Sequence, residues 1–203
     1  MPPELDSASS WHPLSLHDVK MLFGGAPFFW CLAGGRGLAH RVGSEYRRHD
    51  DVDVVVLRPE LPSVQSWLAD WQLYLAGPPG TLRKWKHGEP VITPVHDIWA
   101  HRDNHSTWEL QLMIQEADGD SWFFRRDRRV HGKLSDLAGM VDGIPCLRPD
   151  LQLLFKAKDV RTKDEVDFRM VLSVLSAADR AQLGSWLRLT HPRGHVWFDA
   201  LAR

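Results

Sequence analysis

The chain has 203 residues, with 25 Lys plus Arg against 26 Asp plus Glu for a formal net charge of −1, 43% hydrophobic residues and two cysteines. That length and apolar content suffice for one domain with a substantial core, and the balanced charge argues against a large electrostatic nucleic-acid surface. No apolar run reaches membrane-spanning length and no basic-then-apolar leader opens the chain, so it reads as a cytoplasmic protein, with Cys31 and Cys146 as small hydrophobes rather than a disulfide.

In chain order, residues 1–14 are polar and proline-bearing and read as loosely ordered. Ser15 is a helix cap, and the helix behind it ends at Gly24-Gly25. A strand over 28–32, a helix over 36–42 and a strand over 52–57 make a strand-helix-strand unit. Residues 63–71 read as helix and 71–75 as strand, and Gly77-Pro78-Pro79-Gly80 then breaks the chain into a turn. Over 107–115 the apolar set Trp108, Leu110, Leu112 and Ile114 alternates with polar residues, the period of a strand with one packed face. Asp118-Gly119 turns the chain back into 122–124. The segments 151–158, 163–175 and 177–189 read as helices, the second started by a capping box of Thr162 and Glu165. The fold class is therefore α+β: a mixed sheet with flanking helices, over 15–147, followed by a C-terminal helical portion over 148–203.

Asp51 and Asp53 are the most informative residues. In a strand, residues two apart share a face, so both carboxylates would project together, and the repulsion between them is best offset by a divalent cation. Gly34-Gly35, between the first strand and its helix, would let phosphate oxygens approach backbone N–H groups at a helix N-terminus. A phosphate site and a metal site thus fall in adjacent elements.

Gly34-Gly35, Gly43, Arg47, His49, Asp50, Asp51 and Asp53, in that order over about twenty residues, resemble the signature of the polymerase-β-like nucleotidyltransferase superfamily, in the branch of aminoglycoside 2″-adenylyltransferases and lincosamide nucleotidyltransferases. The runs at 96–99, 119–122 and 163–168 extend the likeness over most of the chain. Two positions depart from it, Arg36 standing where Trp is common and Ala39 where Asp is common, which leaves the acceptor open. The resemblance implies a nucleotidyltransferase-type sheet and a Mg²⁺-dependent enzyme, with two ions, that moves NMP (AMP from ATP) onto a hydroxyl of a small polar, antibiotic-like molecule. A toxin-like transferase acting on tRNA or protein, and a non-catalytic nucleotide-binding module, are the alternatives.

The metal ligands implied are Asp51, Asp53 and a third carboxylate on a neighbouring strand, which binds metal or takes the hydroxyl proton. Glu109, on the polar face of the 107–115 strand, is the candidate for it and Asp97 the alternative. Gly34, Gly35, Arg36, Arg47, His49, Lys158 and Lys163 are the candidate nucleotide-binding residues, with Lys156 beside them; Arg47 and His49 equally suit a structural tie. Asp164 and Asp167 read as partners of nearby bases or as helix caps. The basic run 125–129 reads as a solvated turn or as a contact for phosphates or an acidic partner. Trp85, Trp99 and Trp122 are offered by residue type alone as stacking surfaces for a purine or sugar ring.

Overall fold

The computed structural model describes residues 5–77, 81–103 and 105–202. Helix α1 (Leu16–Phe23) leads to strand β1 (Trp30–Ala33), helix α2 (Gly34–Val42) and strand β2 (Asp53–Leu57). Helix α3 (Leu61–Trp67) precedes strands β3 (Trp71–Ala76), β4 (Leu82–Lys84), β5 (Asp97–Arg102), β6 (Leu110–Asp118), β7 (Ser121–Phe123), β8 (His131–Lys133), β9 (Ala138–Val141) and β10 (Ile144–Leu147). Helices α4 (Pro149–Lys156), α5 (Thr162–Leu172), α6 (Ala177–Thr190) and α7 (Phe198–Leu201) complete the chain. The expected α+β fold with a helical C-terminal portion is what forms.

The sheet runs β4-β3-β5-β6-β2-β1-β10-β9, with β7 attached to β6 and β8 to β7. It is mixed: β2 is parallel to β6 and β1 to β10, whereas β1 and β2 are antiparallel. All five residues of β2 are buried. Its valines serve two cores, as expected of a continuous apolar run covered on both faces. Val54 and Val56 pack with Val19 and Phe23 of α1 and Val64 of α3. Val55 and Leu57 turn the other way, toward Leu151 and Leu154 of α4, Phe168 of α5 and Leu187 of α6. Asp53 has the parity of Val55 and Leu57, so it sits at the start of β2 on the face covered by the C-terminal helices. Cys31 and Cys146 are free, buried, and divided between the two cores.

Local signals hold in some places and shift in others. Ser15 caps α1 as expected, its hydroxyl accepting from the Asp18 amide at 3.1 Å. Helix α2 starts at Gly34, two residues earlier than expected. The cap of α5 is also displaced. Asp164, not Glu165, takes the backbone N–H of the N-cap residue Arg161 (3.1 Å), and Glu165 instead accepts from the Trp197 indole at 2.7 Å. Strand β6 begins at Leu110, leaving Glu109 outside it. Of the expected punctuation at 77–80, residues 78–80 lie outside the described residues, as do residues 1–4 of the N-terminal segment.

Residues 5–14 are not loosely ordered. Leu5 and Leu14 are buried, the Trp108 indole donates to the Asp6 carbonyl at 2.8 Å, and the Leu14 amide donates to the Glu109 carbonyl at 3.0 Å. Trp11 meets Trp99 edge-on, ring centroids 5.1 Å apart. The apolar content of this stretch is low, but Leu5 and Trp11 fall where a tryptophan-rich cluster can receive them and Leu14 joins the core beneath α1. Trp85, Trp99 and Trp122 are likewise packing residues: Trp85 and Trp122 are buried in the cores and Trp99 packs on Trp108. Trp108, fully buried, is the hub of that cluster. Trp108→Ala is expected to lower unfolding free energy by about 3–5 kcal/mol, read by denaturant titration, because it leaves a cavity and frees the 5–14 segment.

Candidate active site

The site grows from the turn between β1 and α2. Gly34 has φ +64°, in the left-handed region, and a Cβ built there would overlap the Asp53 carboxylate. A Cβ on Gly35 would run into the Arg47 guanidinium and lie 2.6 Å from Nδ1 of His49. The glycine pair therefore lets the backbone touch the groups carried by β2 and its approach loop. The Gly34 amide is spent within the protein, donating to Oε1 of Gln152 on α4 at 2.7 Å. Expected as an open phosphate donor, it instead ties α2 to the C-terminal helices.

Pairing fixes Asp53 opposite Ala33 on β1 and Gln111 on β6. Asp51 lies two residues upstream, before the strand begins, and both carboxylates line a cleft of about 480 Å³. Asp53 is 9% exposed. Burial first, and the neighbouring charge of Asp51 second, push its pKa up from the usual carboxylate range to about 7, against the opposing pull of Lys156.

Glu109 does not reach this cleft. Its carboxylate is buried and bound by the Arg102 side chain, by the Arg102 amide at 2.8 Å and by the His105 ring at 2.9 Å. Burial alone would raise its pKa, but the hydrogen bonds and charge of Arg102 outweigh that and hold it below the usual value. The reason is the late start of β6: Glu109 hydrogen-bonds through its amide to Ala100 and turns its side chain back onto the end of β5. Asp97, at the other end of β5, lines the cleft instead. It accepts from Gln111 Nε2 at 3.1 Å and lies 3.7 Å from Arg125. Gln111 thus bridges the strand opposite Asp53 to Asp97.

The far wall is cationic. Lys156, its side chain 9% exposed, is held between Asp164 (3.1 Å) and Asp167 (2.9 Å). Burial opposes ionisation of Asp164, yet Arg161 and Lys156 bring its pKa down to about 2. Arg47 is committed too, gripping both oxygens of Asp167 at 2.6 and 2.7 Å. Arg47 lines the cleft, but its fork anchors α5 to the Asp51 loop. Lys158 and Lys163 are exposed and line the cleft as expected, joined by Arg161, Arg125 and Arg126. Arg36 and His49 do not line it; they face a neighbouring cavity. Burial first, and the charge of Arg47 second, lower the pKa of His49.

Gln111, Gln152, Arg125, Arg126 and Arg161 do not stand out individually in the sequence. Gln111 carries a signal, a polar residue on the apolar face's reverse in an alternating strand; Gln152 carries none. Of the basic run, Arg128 covers the Phe123 ring at 4.0 Å and Arg129 pairs with Asp127 at 2.6 Å, so only its first two members face the cleft.

Among the described residues no group of three or more His, Cys, Asp or Glu is gathered as a ready metal cage. The carboxylates of Asp51, Asp53 and Asp97 are nonetheless hard oxygen donors on one cleft, and among the described residues no base pairs with Asp53 within 4 Å. That donor set fits a cation such as Mg²⁺, which keeps waters and takes few protein ligands.

No family model matches the sequence, and no curated protein matches it. Solved structures do match. The lincosamide antibiotic adenylyltransferase LnuA, lincomycin-bound, aligns with a TM-score of 0.56 at 18% identity, covering 82% of this chain and 99% of that one. The solution structure of the antibiotic-resistance factor ANT(2″)-Ia gives 0.57 at 12% identity, covering 88% and 91%. The crystal structure of ANT(2″)-Ia in complex with adenylyl-2″-tobramycin gives 0.54 at 11% identity, covering 84% and 94%. The chain has the nucleotidyltransferase fold of these antibiotic adenylyltransferases, the branch its motifs resemble.

Proposed function

We propose that this protein is a cytoplasmic, Mg²⁺-dependent nucleotidyltransferase that moves NMP, with AMP the expected group, from an NTP to a hydroxyl of a small polar, antibiotic-like molecule. Residues 15–147 form its catalytic domain and 148–203 supply one wall of the cleft. The observation that carries the reading is the buried Asp53 carboxylate beside Asp51, pressed against Gly34 and facing a wall of lysine and arginine.

In this reading Asp51 and Asp53 hold the cation, which when bound supplies charge neutralisation at the reacting phosphate. The triphosphate lies by the first turn of α2 and is met by Lys158 and Lys163, exposed on the cleft, whereas Arg161 is already paired with Asp164 at 2.7 Å. Lys156 and Arg47 act indirectly, through Asp164 and Asp167, by fixing α5 against the Asp51 loop. Asp97 replaces Glu109 as the third carboxylate. It takes the proton of the acceptor hydroxyl while that oxygen bonds to the α-phosphorus and the bond to the departing pyrophosphate breaks. Gln111 and Arg125 keep the Asp97 carboxylate aimed.

The direct test is pyrophosphate release from each NTP with Mg²⁺, against pooled lincosamides, aminoglycosides and RNA. Acceptor-dependent release with an antibiotic pool is expected. Release only with RNA would make the acceptor a macromolecule, and nucleotide binding without release would leave a non-catalytic module.

Asp53→Asn is expected to cut turnover by about 10³-fold or more. It should also stabilise the fold. Asp53 has a folded pKa of about 7, above the unfolded value of 3.8, so the native state binds the extra proton and wild-type stability falls as pH rises from about 4 through 7. At pH 8 in chelator the variant is therefore expected to exceed wild type by about 1–4 kcal/mol, with the gap closing near pH 4, by denaturant titration. Asp97→Asn should lower kcat by about 10²–10⁴-fold. Glu109→Gln should leave kcat unchanged and cost about 1–3 kcal/mol of stability; the reverse pattern would restore Glu109 to the site. Lys163→Ala should raise the KM for NTP by about 3–30-fold with little change in the acceptor KM.

A further inference from the structure

Beside the nucleotide cleft, across the 47–51 loop, lies a second cavity of about 830 Å³, walled by Trp11 of the N-terminal segment, by Arg36 on the first turn of α2, and by Glu45, Arg48, His49 and Asp50. It shares Arg47 with the cleft and no carboxylate of the proposed metal pair. We propose that this cavity is a separate binding site for an oxyanion group, a phosphate or carboxylate.

Three observations converge on it. The His49 side chain is 1% exposed, yet neither ring nitrogen has a hydrogen-bond partner. A buried polar group left in that state costs about 1–3 kcal/mol unless a ligand or water supplies the bond. Arg36 is the second. Its one hydrogen bond, to the Leu14 carbonyl, is long at 3.5 Å, its buried Nε has no partner, and among the described residues no carboxylate pairs with it. The third is the first turn of α2, a nine-residue helix with no side-chain cap, which carries partial positive charge although its Gly34 amide is spent on Gln152. The other two arginines around the cavity are already paired, and Glu45 is left as the one unspent carboxylate at its rim. Arg48 pairs with Asp50 at 3.3 Å, and Arg47 is taken up by Asp167. Glu45 reaches only to within 3.7 Å of His49 Nε2 from an exposed position. What remains is a guanidinium, an imidazole and a helix start without their complement, with the Trp11 ring at the rim for an attached organic body.

The site goes beyond the transferase reading and does not need it. Two sources share this chemistry: a free product anion, and the acidic group of a hydroxyl compound entering beside the nucleotide. The experiment titrates inorganic phosphate, pyrophosphate and glycerol 3-phosphate, with glycerol as control, into the full chain by calorimetry. It is run with and without saturating Mg²⁺ and a non-hydrolysable ATP analogue. Binding of a phosphate-bearing probe that persists with the analogue bound, and that weakens at least 10-fold in both Arg36→Gln and His49→Phe but not in Lys163→Ala, is the expected result. Tighter glycerol 3-phosphate than phosphate assigns the site to an acidic acceptor, and the reverse to a free anion. Displacement of every probe by the analogue, unchanged affinity in Arg36→Gln, or no probe binding to a folded wild type would overturn the proposal. Failure of the analogue itself to bind would count against the transferase reading alone, since the probes are also titrated without it.

Discussion

The structure is organised around one unfavourable arrangement: a carboxylate, Asp53, buried at the start of a fully covered strand, with a second carboxylate two residues away. Such a pair stays in place only where the chain around it fixes it. Gly34 does so from one side, since no other residue could lie against the Asp53 oxygens. The antiparallel pairing with β1 and the parallel pairing with β6 do so from the others.

The same requirement explains the C-terminal helices. Lys156 comes close enough to Asp53 to lower its pKa, but it is held by Asp164 and Asp167, and Arg47 closes the network from the loop that carries Asp51. A buried network of this kind is weak as a source of net stability and strong as a source of geometry. Here it ties α4 and α5 to the loop that carries Asp51, while the exposed Lys158 and Lys163 lie outside the network.

Much of this was legible in the sequence, and the limits have physical causes. The Gly34-Gly35 pair and the alternation over 107–115 are local patterns that mark real elements, whereas the i, i+2 spacing of Asp51 and Asp53 predicts one strand for both and β2 begins only at Asp53. The role of Glu109 was not local. Its parity on the strand is right for the cleft, but the strand starts one residue later and Arg102 captures the carboxylate, a contact set by how β5 and β6 end. Asp97 reaches the cleft through sheet order, which places β5 beside β6 and β6 beside β2, and order is not written in periodicity. The packing of residues 5–14 depends on a tryptophan cluster assembled from three distant segments. The second cavity needed coordinates, because an imidazole without partners looks in sequence like any other histidine.

The central claim is that the Asp51–Asp53 pair takes a triphosphate together with a divalent cation. The most direct measurement is the affinity of the wild-type protein for a non-hydrolysable ATP analogue at pH 7.5, with Mg²⁺ and with a chelator in its place. The account expects binding with Mg²⁺ that weakens at least about 10-fold in chelator, because an unneutralised triphosphate then faces two carboxylates. Equal affinity in both conditions, or no binding with Mg²⁺ present, would contradict it.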